Sequence, residues 1–110
     1  MNPLIVNFEK MLAAGKDTPL LRFGLGNAYL DAGEAADAAV HLKRAVELKP
    51  DYSAAWKLLG KALAAANDRA GAIVAYREGI VVAEKTGDKQ AMKEMLVFMK
   101  RLERPEPGSS

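Results

Sequence analysis

The sequence contains no cysteine, and this absence removes several classes of chemistry. Disulfide scaffolds, thiol nucleophiles, thiolate zinc sites and iron–sulfur clusters all require cysteine side chains. His41 is the single histidine, which argues against a Ser-His-Asp triad and leaves no material for a multi-histidine metal site. We therefore expect no metal, no cofactor and no catalysis.

Aromatic residues are also scarce, at 6% of the chain, whereas alanine is the most frequent residue type and Val, Ile and Thr are few. Alanine loses no side-chain entropy in a helix, while β-branched residues lose some. This composition therefore favours helix over sheet. A chain of 110 residues forms one domain and buries about two thirds of its unfolded surface.

No charge of one sign dominates, because 16 basic and 14 acidic residues give a net charge of +2. Residues 1–52 carry 6 basic and 7 acidic groups (net −1), and residues 53–110 carry 10 and 7 (net +3). Nucleic-acid binders need a stronger positive excess to neutralise phosphates, so we expect no nucleic-acid partner. No apolar run approaches the about 20 residues that cross a bilayer, and the first residues resemble no export signal. We expect a cytoplasmic protein with no membrane partner.

The sequence repeats itself, because residues 19–52 align without a gap on residues 53–86. Seven positions are identical in this alignment, and a shared Leu-Gly-x-Ala segment is the most specific of these matches. Three large apolar residues, Phe8, Leu42 and Tyr76, also lie one period apart in series and extend the repeat upstream. The period is 34 residues. A fixed period of this length is typical of repeat architectures, in which each unit packs on its neighbours.

Each repeated unit has the apolar spacing of two helices separated by a break. Gly33 suits a left-handed helix end, and Pro50 stops the helix that precedes it. Flanking helices are predicted over residues 3–14 and roughly over residues 88–103. The sequence therefore predicts about six antiparallel helices, with two full units between two half units.

These residues resemble the tetratricopeptide repeat (TPR) family. Its first helix favours Trp, Leu, Gly and Tyr, and its second favours Ala, an aromatic and a small residue before a proline. The second unit carries this pattern in Trp56, Leu59, Gly60, Ala72, Tyr76 and Gly79, and the first in Leu25, Gly26, Tyr29, Ala38, Ala45 and Pro50. The first unit departs from it with Arg22 at the Trp position and Leu42 at the aromatic position. The resemblance implies an all-α solenoid with a right-handed superhelix, in a small bacterial cytoplasmic protein.

The resemblance also implies how the chain is divided. We predict a single TPR domain over residues 1–104, followed by a disordered tail over residues 105–110. Within the domain we predict an N-terminal half repeat at 3–18, repeats at 19–52 and 53–86, and a C-terminal capping helix at 87–104.

TPR units line a concave surface with their first helices, and the resemblance implies that this groove binds a peptide or protein segment. The predicted groove residues are Phe23, Asn27, Asp31, Lys57 and Lys61. Helical geometry agrees, because residues four apart lie on one face. The alternatives are that Phe23 packs beneath the helix over residues 3–14, and that the two lysines are simply solvated.

The family's best-known binding mode is a carboxylate clamp for the C-terminal tails of chaperones, built from Lys, Asn, Asn, Lys and Arg. The corresponding positions hold Phe23, Asn27, Leu58, Asp88 and Met92, of which only Asn27 matches. We therefore predict that the protein does not bind such tails.

A second hypothesis places the binding surface on the last helix. The methionines of that helix, Met92, Met95 and Met99, form a stripe that is predicted to pack on the preceding helix, with an adaptable binding stripe as the alternative. Val97 and Phe98 lie off this stripe and indicate an exposed patch, and so an assembly role. Under either hypothesis the partner is an unidentified protein or peptide, and the protein itself is a monomer or self-associates weakly. His41 lies beside Lys43 and Arg44 and is predicted at the surface.

Overall fold

The computed structural model describes residues 2–104, which form six α-helices and no strand. The helices are α1 (Pro3–Ala13), α2 (Pro19–Asp31), α3 (Ala35–Leu48), α4 (Ser53–Ala65), α5 (Arg69–Thr86) and α6 (Lys89–Glu103). The predicted all-α architecture is confirmed, and the two flanking helices begin and end within one residue of their predicted limits. The predicted disordered tail lies outside the described residues.

Polar side chains cap the first turn of four helices and so fix where these helices begin. The capping residues are Asn2, Thr18, Asp68 and Asp88. The turns after α2 and α4 share one geometry, because Gly33 and Asn67, one period apart, have φ values of 80° and 66°. Asparagine tolerates this left-handed conformation better than most residues with a side chain. Both repeats therefore turn at the same position.

The two helices of each repeat approach closely because a glycine of the first faces a large side chain of the second. A Cβ at Gly26 would overlap the side chain of Leu42, and one at Gly60 would overlap the ring of Tyr76. Leu42 and Tyr76 are 0% and 2% exposed. Small residues at these crossings therefore allow a close-packed core with few aromatic side chains.

The stack of helices curves toward the first helix of each repeat. Within residues 2–104, α2 contacts α4 and α4 contacts α6, whereas α1, α3 and α5 make no comparable contact with one another. The first helices thus lie closer together than the second helices. The surface over α2, α4 and α6 is consequently the concave side, and α1, α3 and α5 form the convex side of a body of 49 × 33 × 18 Å.

Candidate functional site

Three of the predicted groove residues are exposed on the first helices. Asn27 and Asp31 lie one turn apart on α2, and Lys61 lies on α4. Asn27 and Lys61 are one period apart, so they occupy the same position in successive repeats. An amide and an ammonium group therefore lie side by side along the stack, with the carboxylate of Asp31 one turn further along α2.

Phe23 is half-buried and packs on the hydrophobic core. Its ring stacks on Tyr52, with ring centroids 5.1 Å apart and planes inclined by 25°. The next residue, Gly24, is covered by α1: the Phe8 ring lies 3.0 Å from the position that a Cβ on Gly24 would take. Phe23 thus forms an aromatic pair with the α3–α4 connection. The nearby Leu20 is 72% exposed and extends this apolar surface toward solvent.

The two predicted lysines have different surroundings. The Nζ atom of Lys57 lies 3.2 Å from Oε1 of Glu94 on α6, and the Lys57 side chain is 25% exposed. The Nζ atom of Lys61 lies 5.3 Å from the centre of the Phe98 ring, within the range of a cation–π contact. Glu94 neutralises Lys57, so Lys61 is the more available cation of the pair.

The two residues of the predicted end-helix patch lie on different faces of α6. Val97 is 48% exposed, whereas Phe98 is half-buried against Tyr76, with ring centroids 5.8 Å apart. Phe98 therefore belongs to the core and to the concave side beside Lys61. Of the two, Val97 alone presents an apolar side chain to solvent.

The methionines of α6 close the end of the core. Met95 is fully buried and its sulfur faces Gly79 on α5, while Met92 and Met99 pack at the edge of the same cluster. A flexible thioether fills the space that a glycine leaves. The stripe predicted from spacing thus packs inward.

Asp88 holds the start of α6 against α4. Its carboxylate accepts hydrogen bonds from the Ser53 hydroxyl at 2.7 Å and from the Ala91 backbone N–H at 3.1 Å. These two bonds hold the pKa of Asp88 below its ordinary value, the Ser53 bond most strongly. A carboxylate therefore stands at a position where a carboxylate clamp would need a cation.

His41 is not at the surface, contrary to the sequence prediction. Its side chain is only 12% exposed and stacks on Tyr29 with ring centroids 5.4 Å apart. Nδ1 lies 3.0 Å from Nη1 of Arg22, and Nε2 lies 3.7 Å from Oε1 of Glu9. Because a guanidinium group only donates, Nδ1 must accept and the ring is neutral, with its proton on Nε2. Burial lowers the pKa of His41 and is the largest effect; the charge of Glu9 opposes this shift, and the smaller effect of Arg22 adds to it.

Reasoning from sequence did not identify Tyr52 and Glu94 as neighbours of the site. Tyr52 is the last residue of the first repeat, and Glu94 occupies the position that holds Gly26 and Gly60 in the repeats. The departure of Glu94 from the repeat pattern was the signal available in the sequence. It indicates that α6 uses this position for an ion pair and has no close helix crossing there.

No group of three or more Asp, Glu or His side chains between residues 2 and 104 is placed to hold a metal ion. None of the six helices combines the length and the apolar character needed to span a membrane.

Comparison with known proteins gives consistent matches. A family model for the tetratricopeptide repeat matches residues 5–61 and residues 29–93. A TPR repeat-containing protein of Pseudomonas aeruginosa is 59% identical over 101 residues, which cover 92% of this chain and 96% of that protein. The beta-barrel assembly-enhancing protease of Escherichia coli is 38% identical over 68 residues, which cover 62% of this chain and 14% of that protein.

Solved structures agree with these sequence matches. The solution structure of a Bordetella parapertussis protein has a TM-score of 0.79 and 44% identity, covering 93% of this chain and 89% of that one. The crystal structure of the Sgt2 TPR domain from Aspergillus fumigatus has a TM-score of 0.76 and 30% identity, covering 96% of this chain and 75% of that one. The chain belongs to the tetratricopeptide repeat family.

Proposed function

We propose that this protein binds a peptide or protein segment on its concave surface and performs no catalysis. The TPR fold is a protein–protein interaction module in general terms. The observation that carries the more specific proposal is the exposure of Asn27, Asp31 and Lys61 on the first helices, which lie on the inner side of the curved stack. These polar groups do not take part in the core, so they remain available to a partner.

The surface divides into an apolar end and a polar middle. Leu20 and the Phe23–Tyr52 pair offer a rigid apolar contact of the kind that anchors interfaces. The Asn27 amide both donates and accepts, which suits the backbone of an extended segment. Asp31 and Lys61 favour a segment that carries both signs of charge. Lys57 contributes mainly by holding α6 through Glu94.

The decisive experiment is affinity capture from the native host, followed by mapping of the captured segment by NMR chemical-shift changes. The test variant is Asn27→Ala/Lys61→Glu, and the matched control is Lys43→Glu, an exposed lysine on the convex α3. We expect shifts clustered on α2 and α4. We expect the test variant to weaken binding by about tenfold or more, as for the loss of two contacts of about 1 kcal/mol. Shifts confined to the convex side, or equal weakening by the control, would refute this proposal.

A second candidate function is assembly through α6, and the exposure of Val97 favours it. Under this proposal the last helix is itself a contact surface. Substitution of Val97 by Gln should then reduce association without changing the fold, because the Val97 side chain lies outside the core cluster of α5 and α6.

A further inference from the structure

A groove on the convex side separates α1 from α3 and has a volume of about 770 Å³. Its apolar lining comes from Ile5, Val6, Ala13, Tyr29 and Ala32. The groove is wide because the backbones of α1 and α3 do not approach closely within the described chain, although Glu9 reaches His41, so the end of α2 forms its floor. An apolar groove on the outside of a folded protein is a candidate contact surface for another protein.

Three carboxylates, Glu9, Glu34 and Asp37, line this groove, against the single cation of Lys10. Glu34 precedes α3 without capping its first turn, so that carboxylate is not used by the helix. Burial raises the pKa of the Tyr29 hydroxyl on the floor, and the charges of Glu9 and Asp37 raise it further. The groove is therefore both apolar and negative.

The excess of carboxylates over cations is larger in this groove than in its neighbour. An equivalent groove of about 600 Å³ lies one period further on, between α3 and α5. There Glu9 is replaced by Lys43 and Asp37 by Gly71, while Asp68 stands for Glu34. With Glu47, two carboxylates line the second groove against one cation, whereas three line the first against one, so the first groove is the more acidic of the two.

The other end of the molecule carries the complementary surface. On α6, Lys93, Lys100 and Arg101 are exposed within about 60° of the direction of Val97, given 100° per residue. Val97 is the exposed apolar side chain at the centre of this basic face. From Gln90 to Arg101 the face is about 16 Å long, and the α1 wall from Asn2 to Ala13 is also about 16 Å.

We propose that a second copy of this chain is the occupant: the basic face of α6 in one molecule lies in the acidic α1–α3 groove of the next. Val97 then contacts the apolar floor, and Lys93, Lys100 and Arg101 lie near the carboxylates on the rim. The two surfaces differ, so the contact is head-to-tail and leaves a free groove and a free helix at the two ends. A contact of one short helix buries less surface than a permanent dimer needs, so association is weak and sensitive to salt.

The test uses the full chain and two charge-reversed variants in sedimentation velocity at about 5 to 500 μM and low salt. One variant is Lys93→Glu/Arg101→Glu on α6, and the other is Glu34→Lys/Asp37→Lys in the groove. We expect the sedimentation coefficient of the natural chain to rise with concentration, and each variant alone to remain monomeric. An equimolar mixture of the two variants should associate again, because each mixed contact pairs opposite charges.

The matched control is Arg77→Glu/Lys85→Glu, which reverses two exposed cations of α5 outside both surfaces. It should associate like the natural chain, and far-UV circular dichroism should show all variants folded. A natural chain that stays monomeric at the highest concentration and low salt overturns the proposal. So does a mixture of the two variants that fails to associate, or a control that loses association. Lys61→Glu should leave association unchanged, which separates this contact from binding on the concave surface.

Discussion

At the scale of single residues, the two repeats fill the same space with different chemistry. In the second repeat, Trp56 packs on the core and Ala75 is 3% exposed. The equivalent positions of the first repeat hold Arg22 and His41, and Nη1 of Arg22 lies 3.0 Å from Nδ1 of His41. A large and a small apolar residue are thus replaced by two long polar ones. Asp17 accepts two more guanidinium hydrogen bonds, from Nε at 2.7 Å and from Nη2 at 3.1 Å.

The neutral state of His41 makes stability depend on pH. Its pKa is lowered in the folded protein from the ordinary 6.5, mainly by burial. The unfolded chain therefore takes up a proton first as the pH falls below 6.5, and the folded state loses stability until its own pKa is passed. Between about pH 7.5 and about pH 5.5 we expect a loss of at most about 1.4 kcal/mol in the free energy of unfolding. Urea unfolding at both pH values measures it.

Because His41 is the single histidine, a His41→Gln variant is a clean control. The free energy of unfolding of this variant should vary less across this pH range. The carboxylates of Asp17 and Asp88 have lowered pKa values and titrate below this range. An NMR titration of the His41 ring that gives a pKa above the ordinary 6.5 would contradict this account.

The helix crossing at Gly26 gives a second prediction. Gly26→Ala would gain about 1 kcal/mol of helix propensity. It also forces the new Cβ into the Leu42 side chain, and overpacking costs about 1–3 kcal/mol. We expect a net loss of stability in chemical denaturation. In a Leu42→Ala background the clash is gone, so the same Gly26→Ala change should become neutral or stabilising. A loss of equal size in both backgrounds would rule out the clash as the cause.

At the scale of helices, α1 is the least supported part of the described chain. Its backbone approaches only that of α2 among the helices, its Glu9 side chain reaches His41 on α3, and it contains one buried residue, Ile5. In a stacked architecture each element is stabilised mainly by its neighbours, so an end helix with one neighbour opens first.

Removal of the Phe8 ring tests this expectation. Phe8→Ala deletes the contact over Gly24, and we expect the amides of α1 to lose protection from hydrogen exchange. The loss in stability should be about 2 kcal/mol, below the value for a fully buried ring because Phe8 is half-buried. The amides of α4 and α5 should keep most of their protection. Met11→Ala, at a 41% exposed position of the same helix, serves as the control and should change little.

The helices could be predicted from the sequence because the relevant signals are local. The apolar spacing that predicts a helix lies within that helix. Gly33 and Pro50 lie next to the helix ends that they predict. The contacts of the site depend on how successive helices stack. The Phe23–Tyr52 pair and the Lys57–Glu94 pair join residues that are distant along the chain. The sequence pattern wrongly predicts His41 at the surface because its covering groups, Glu9 and Arg22, come from other helices.

At the scale of the whole molecule, charge and curvature give the two sides different properties. The concave side carries Asn27, Asp31 and Lys61, with both signs of charge. The convex side carries an acidic groove near one end, and α6 at the other end carries a basic face. A partner on the concave side and a second copy on the ends could therefore bind at the same time without competing.

The residues on the concave side also determine which peptides this surface does not bind. A clamp for a C-terminal carboxylate needs cations and amides from three successive first helices, but the positions here hold Phe23, Leu58 and Asp88 beside Asn27. The Asp88 carboxylate is already bound by Ser53 and would repel a terminal carboxylate.

We expect a peptide ending in Glu-Glu-Val-Asp to bind with a Kd weaker than about 1 mM, that is, with less than about 4.1 kcal/mol of binding free energy. Its C-terminally amidated form should bind no worse in isothermal titration calorimetry. Micromolar binding that depends on the free carboxylate would contradict this reading of Asp88 and would mean that other cations of the chain bind the tail.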